Sequence, residues 1–276
     1  MKAKNQSLQL ILLLIGALVF LFPFYYMVMA SLQTKPDTTV AGAFPNPANL
    51  TGQNYVDINK AINLFTGVLN SGVFTGGVLL GTLVFGVLAG YSLAVMRFVG
   101  RGFVFGMMLL VQMVPFQLLM IPLYVMIVRS YGLGDSYLGM LLPFAINSTG
   151  VFVFLQYFLQ LPASMFEAAR IDGASEWQIL WRIAVPLVRP ALVTGALLTF
   201  IGPWNEFLWP FLVTKQRAMQ PLAVSLANYI NNAAATANPF GVALAGAVVL
   251  ALPAVVLFVF FQRHFTSTDL GSGVKG

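Results

Sequence analysis

The densest cluster of ionisable side chains in this 276-residue chain is one short stretch, Phe166–Pro186, which reads FEAARIDGASEWQILWRIAVP. It carries Glu167, Arg170, Asp172, Glu176 and Arg182, although only 8% of the chain is charged. Little else in the sequence suits catalysis. There is no cysteine, which excludes a disulfide, a thiol nucleophile or a thiolate metal site. The one histidine, His264, lies near the C-terminus, so most histidine-dependent metal and acid–base schemes fall away. No H-E-x-x-H, G-x-S-x-G or G-x-x-x-x-G-K-[ST] motif is present. The charged cluster therefore reads as a docking surface rather than a reaction centre, or else as a solvated loop whose charges only enforce topology.

Local signals give the cluster a shape. Ser164 to Glu167 has the S-x-x-E form of a capping box, and Pro162 just before it suits a helix start. The expected helix runs from Met165 to Asp172. Gly173 follows, a residue that accepts positive φ at a helix end. Ser175 to Gln178 forms a second capping box. Trp177, Leu180, Trp181 and Ala184 then recur at helical spacing as one amphipathic stripe, which Pro186 should end. Ala168 and Ala169 would let another surface come close to the first helix. A mere loop needs neither two capped helices nor two tryptophans.

The rest of the chain must hold this cluster in place, and it is oily. Hydrophobic residues make up 59% of it, and soluble domains carry about 25% charged residues. The reading is an all-α integral membrane protein in contact with lipid. The net charge of +6 then concerns orientation, not nucleic-acid binding. Six apolar stretches appear: Leu8–Leu32, Val68–Met96, Phe103–Val128, Leu138–Leu159, Leu187–Val213 and Val242–Phe261. The first is too long for a signal-peptide core and matches the roughly 20 residues of a spanning helix. In the second, the pairs Gly72/Gly76, Gly77/Gly81 and Gly86/Gly90 suit close helix packing in lipid. The third is interrupted by Pro115 and Pro122.

With six spans, nine Lys and Arg residues fall on the face holding both termini and five on the other. Arg97 and Arg101 sit in a very short loop, where the positive-inside rule is strongest. Both termini and the charged cluster are therefore expected in the cytoplasm. Glu206, beside Asn205, is the one acidic residue in an expected span, and such a residue is a functional hypothesis by default. It lies fifteen residues beyond Ala191, roughly 22 Å along a helix, near an interface where Trp204 and Trp209 would form an aromatic belt. A structural or gating role suits it better than substrate contact. Gln112, Asn147 and Gln156 could line a pathway or bond between helices. An ion-coupled secondary transporter would need deep intramembrane charges or inverted repeats, and no clear repeat is seen.

The stretch also resembles the EAA motif of ABC importer permeases: Glu167-Ala168-Ala169, then Gly173, then Ile183-Ala184-Val185-Pro186, with Val185 where the family has leucine. NEFLWP (Asn205–Pro210), VPFQLLMIPLYV (Val114–Val125) and the ending GSGVKG are similar to MalG-like permeases of carbohydrate importers. The resemblance implies six transmembrane helices in a type I ABC importer permease fold. It implies residues 1–67 as a cytoplasmic segment, first helix and external loop, then a five-helix core over 68–262 with a coupling loop at 161–186, and a cytoplasmic tail over 263–276. The chain would be a non-catalytic permease subunit of a bacterial or archaeal inner membrane. It would bind no cofactor itself, with ATP-Mg held by the ATPase. The implied partners are a second homologous permease subunit in a heterodimer, two ATPase subunits and an external sugar-binding protein. Glu167, Ala168, Ala169, Arg170, Asp172, Gly173, Ile183 and Pro186 would form the coupling site. The tail, with Gly273, Val274, Lys275 and Gly276, would touch the ATPase, and Gln216–Asn238 would reach the binding protein. The implied cargo is a mono- or oligosaccharide, with glycerol phosphate as the runner-up.

Overall fold

The structure, a computed structural model, describes residues 2–232 and 238–268. Its elements are helical: α1 (Lys2–Ser31), α2 (Gln53–Ile62), α3 (Leu64–Val95), α4 (Arg101–Met113), α5 (Phe116–Tyr124), α6 (Tyr137–Leu141) and α7 (Ser148–Leu159). There follow α8 (Ala163–Ile171), α9 (Glu176–Ile179), α10 (Val185–Leu187), α11 (Arg189–Asn205), α12 (Leu208–Val213), α13 (Leu222–Asn232) and α14 (Pro239–Thr268). Three helical segments are long and apolar enough to cross a bilayer unaided: Gln9–Ser31, Leu64–Val95 and Pro239–Gln262. Three further spans are bent pairs, giving six in all: α4 with α5 at 93°, α6 with α7 at 47°, and the α9–α10 stretch with α11 at 76°.

The bends have local causes. Val114 precedes Pro115 and takes the extended conformation, φ −84° and ψ 117°, that proline imposes on its predecessor. The turn before α7 contains Pro143, and Asn147 restarts the helix by accepting from the Thr149 and Gly150 amides. The third bend corrects an expectation. Pro186 does not end its helix; it lies within α10, and the break falls at Val188. Residues Leu180–Ala184 form a π turn, and the Val185 amide reaches back five residues to the Leu180 carbonyl. That wider turn accommodates a proline that an α-helical ladder would reject.

The chain divides into two compact units. In residues 1–67 with 225–256, Asn54 Nδ2 donates to the carbonyls of Ser31 and Gln33, both at 2.8 Å. Asn238 joins them through Gln33 and the Asn54 side chain. Ile58, Leu226, Val242 and Ala245 are buried around this network. In residues 68–224 with 257–276, α3 is the central packing element. A Cβ at Gly81 would stand 2.5 Å from the Ala145 carbonyl oxygen, and one at Gly90 would stand 2.8 Å from the Phe154 Cβ. Two of the glycine pairs, Gly77/Gly81 and Gly86/Gly90, thus admit neighbouring backbone or side chains. Gly72 and Gly76 face open space instead. Phe154 is fully buried in a cluster with Tyr91, Phe158, Phe166, Ile179, Leu180 and Ala184. That cluster seats the charged stretch.

Candidate coupling site

Helices α8 and α9 meet at Gly173, whose φ of +82° is in the left-handed region that favours glycine. The start of α8 differs from expectation. It begins at Ala163 with Pro162 as N-cap and no side-chain cap. Ser164 is therefore inside the first turn and caps nothing. The fixed φ of proline is already suited to a helix start. The second capping box forms as expected: Ser175 Oγ accepts from the Gln178 amide, and Gln178 Oε1 accepts from the Ser175 amide at 2.9 Å. Such a cap is worth about 1 kcal/mol.

Helix α8 has two faces. Phe166 and Ala169 point into the cluster below and are buried. Glu167, Ala168, Ile171 and Asp172 are exposed, Ile171 by 86%. Ile171 is thus an apolar side chain left open between two carboxylates. Ala168, beside it, leaves the backbone accessible to a close approach. Ile183 and Pro186 are partly buried, with Ile183 packed on the cluster.

Glu176, outside the motif positions, joins three elements. Its Oε1 accepts from Arg170 Nε at 2.7 Å, and its Oε2 accepts from the Tyr91 hydroxyl at 2.7 Å and Arg170 Nη2 at 3.4 Å. One carboxylate thus ties α3, α8 and α9. The hydrogen bond to the Glu176 carboxylate raises the Arg170 pKa above its ordinary value. The Tyr91 ring packs edge-on against Phe158 and Phe166, at 5.7 and 6.2 Å between centroids. Tyr91 had no signal in the sequence, being one more aromatic in an apolar run 85 residues from Glu176.

The expected stripe divides. Leu180 and Ala184 are buried, whereas Trp177 and Trp181 are exposed and pair with each other edge-to-face at 5.6 Å. Ile179, Leu180 and Ala184 form the buried set, and both tryptophans face outward.

The candidate pathway residues lie on separate elements. Gln112 is exposed on α4. Asn147 is a helix cap. Asn205 donates to the Ile201 carbonyl at 3.0 Å. Glu206 ends α11 and accepts from the Leu208 and Trp209 amides, starting α12. The tail positions Gly273, Val274, Lys275 and Gly276 lie outside the described residues. Among the described residues, no three His, Cys, Asp or Glu side chains gather to hold a metal.

Comparison with known proteins follows the same lines. The arabinooligosaccharide transport permease AraQ of Halalkalibacterium halodurans is 34% identical, over the full length of both chains. The trehalose transport permease SugB of Mycobacterium tuberculosis is 32% identical over 89% of this chain and 90% of its own. A crystal structure of a bacterial ABC transporter that imports the acidic polysaccharide alginate superposes with a TM-score of 0.81 at 26% identity, covering 95% of this chain and 97% of that one. The family described as binding-protein-dependent transport system inner membrane component matches residues 82–267. With that match across all three bent spans, the charged stretch and most of α14, the chain belongs to this family of membrane transport permeases.

Proposed function

We propose that this chain is a membrane-spanning subunit of an ATP-driven importer for a mono- or oligosaccharide delivered by an external binding protein. The observation that carries the reading is the two-faced α8: Glu167, Ala168 and Ile171 lie open, while Arg170 on the same helix is bonded to Glu176, which accepts from Tyr91 of the spanning helix α3. A partner that grips the open face can thus pull on a span rather than on a loose loop. An ATPase subunit with a cation for Glu167 and an apolar recess for Ile171 fits that face. Closure of two ATPase subunits would move α8 and α9 as a rigid body and switch the spans between inward- and outward-open states. The chain itself is non-catalytic, with ATP-Mg on the ATPase. A homologous second permease subunit completes the pathway, and both termini lie in the cytoplasm. The sugar reading draws on relatives named for arabinooligosaccharides and trehalose.

The test is uptake into vesicles holding the full importer, with a panel of mono- and oligosaccharides and glycerol phosphate. Sugar uptake that needs ATP, and is lost in an Ala168→Asp, Gly173→Pro double variant that still inserts, supports the reading. Normal uptake and normal ATPase binding in that variant would sink it, as would uptake without ATP.

A further inference from the structure

Helices α3 and α4 are joined by residues 96–100 between two membrane-crossing segments. Arg97 and Arg101 therefore stand at a membrane–water boundary. A cavity of about 240 Å³ opens beside them, lined among others by Arg97, Arg101, Phe158, Glu167 and Arg170. A second, of about 390 Å³, is lined by Leu93, Arg101, Gly102, Phe105, Leu155, Gln156 and Leu159. The two share Arg101 and Leu159. One is charged and the other almost wholly apolar.

The charges at the mouth do not cancel. Glu167 is the one acid lining the first cavity, 3.9 Å from Arg97. Arg170 is committed to Glu176. Arg101 donates to the Ala94 carbonyl at 3.5 Å and has no carboxylate partner among the described residues. One positive charge is left over. The apolar cavity runs away from it toward the hydrocarbon: Phe105 is one turn along α4, about 6 Å deeper. Its floor is the buried pair Leu93 and Leu155.

We propose that these joined cavities bind an anionic phospholipid. Its phosphate is held by Arg101 and Arg97, and one acyl chain lies along Leu93, Phe105 and Leu155. A zwitterionic lipid carries its own cation to the mouth and gains less from the uncompensated arginine. Basic residues beside a span attract anionic headgroups, and here the adjoining groove adds a place for the chain.

The experiment uses the importer assembled with its partner subunits in phosphatidylcholine nanodiscs, with a trace of photoactivatable phosphatidylglycerol and mapping of the labelled residues by mass spectrometry. Labelling is expected at residues 102–106 and 155–159. Unlabelled phosphatidylglycerol should compete, whereas phosphatidylcholine and inorganic phosphate should not. Arg101→Gln should weaken labelling about fivefold, and Arg101→Lys should restore most of it. Leu155→Trp, which fills the groove and keeps the charge, serves as the second variant and should also lose the label. Equal labelling by a phosphatidylcholine probe, indifference to Arg101→Gln and Leu155→Trp, or displacement by inorganic phosphate overturns the proposal. So does a groove without label because a helix of the second permease fills it.

Discussion

Two ion pairs of the coupling stretch, both anchored on α8, have opposite characters. Arg170 and Glu176 meet at 2.7 Å with side chains 37% and 38% exposed, and Tyr91 adds a third arm. Arg97 and Glu167 sit at 3.9 Å with exposures of 92% and 59%. An exposed pair of the second kind is worth about 0–1 kcal/mol. A hydrogen bond to a charged group contributes about 1.5–3 kcal/mol, nearer the lower figure at this exposure. The first pair is thus a structural joint between span and loop, and the second leaves Glu167 available to a partner. The motif glutamate and the structural glutamate are different residues.

The comparison can be broken at several points. The largest effect is expected at the turn that the Arg170–Glu176 pair spans. Gly173→Pro cannot adopt φ +82°, so ATP-driven uptake should fall at least about 100-fold with insertion retained; unchanged uptake would show that the α8–α9 angle does not matter. Glu176→Gln keeps the shape but weakens the joint, and uptake should drop about tenfold while ATPase binding persists. Vesicle uptake beside a pull-down separates the two readouts. Glu167→Gln should do the reverse, weakening ATPase binding about three- to tenfold with unchanged thermal stability; titration of the ATPase onto nanodisc-held permease measures it. The smallest effect belongs to Arg97→Gln, which should alter thermal stability by less than about 0.5 kcal/mol. A larger loss would make the two pairs alike.

Much of the site was legible because its signals are local. Gly173 and the Ser175–Gln178 box depend on φ and on bonds across three residues, so pattern alone locates them. The six apolar stretches emerged for a similar reason, since bilayer thickness sets their length. Ser164 misled because Pro162 had already started the helix. Pro186 misled because a π turn cannot be seen in apolar spacing. Glu206 is expected in a structural or gating role, and its carboxylate caps α12 by accepting from the Leu208 and Trp209 amides, a bond that apolar spacing does not reveal.

The sequence by itself determined that this is a helical membrane protein with a charged, glycine-hinged loop of the importer permeases. Composition, bilayer length and fixed-spacing motifs are properties of neighbouring residues, and they survive without a fold. Only the tertiary structure decided which carboxylate is free and which is tied. Tyr91 reaches Glu176 across 85 residues of chain, and no local rule brings them together. Their meeting depends on the buried cluster in which Tyr91 of α3 packs with Phe166 of α8 and Ile179 of α9, and so on packing at a distance.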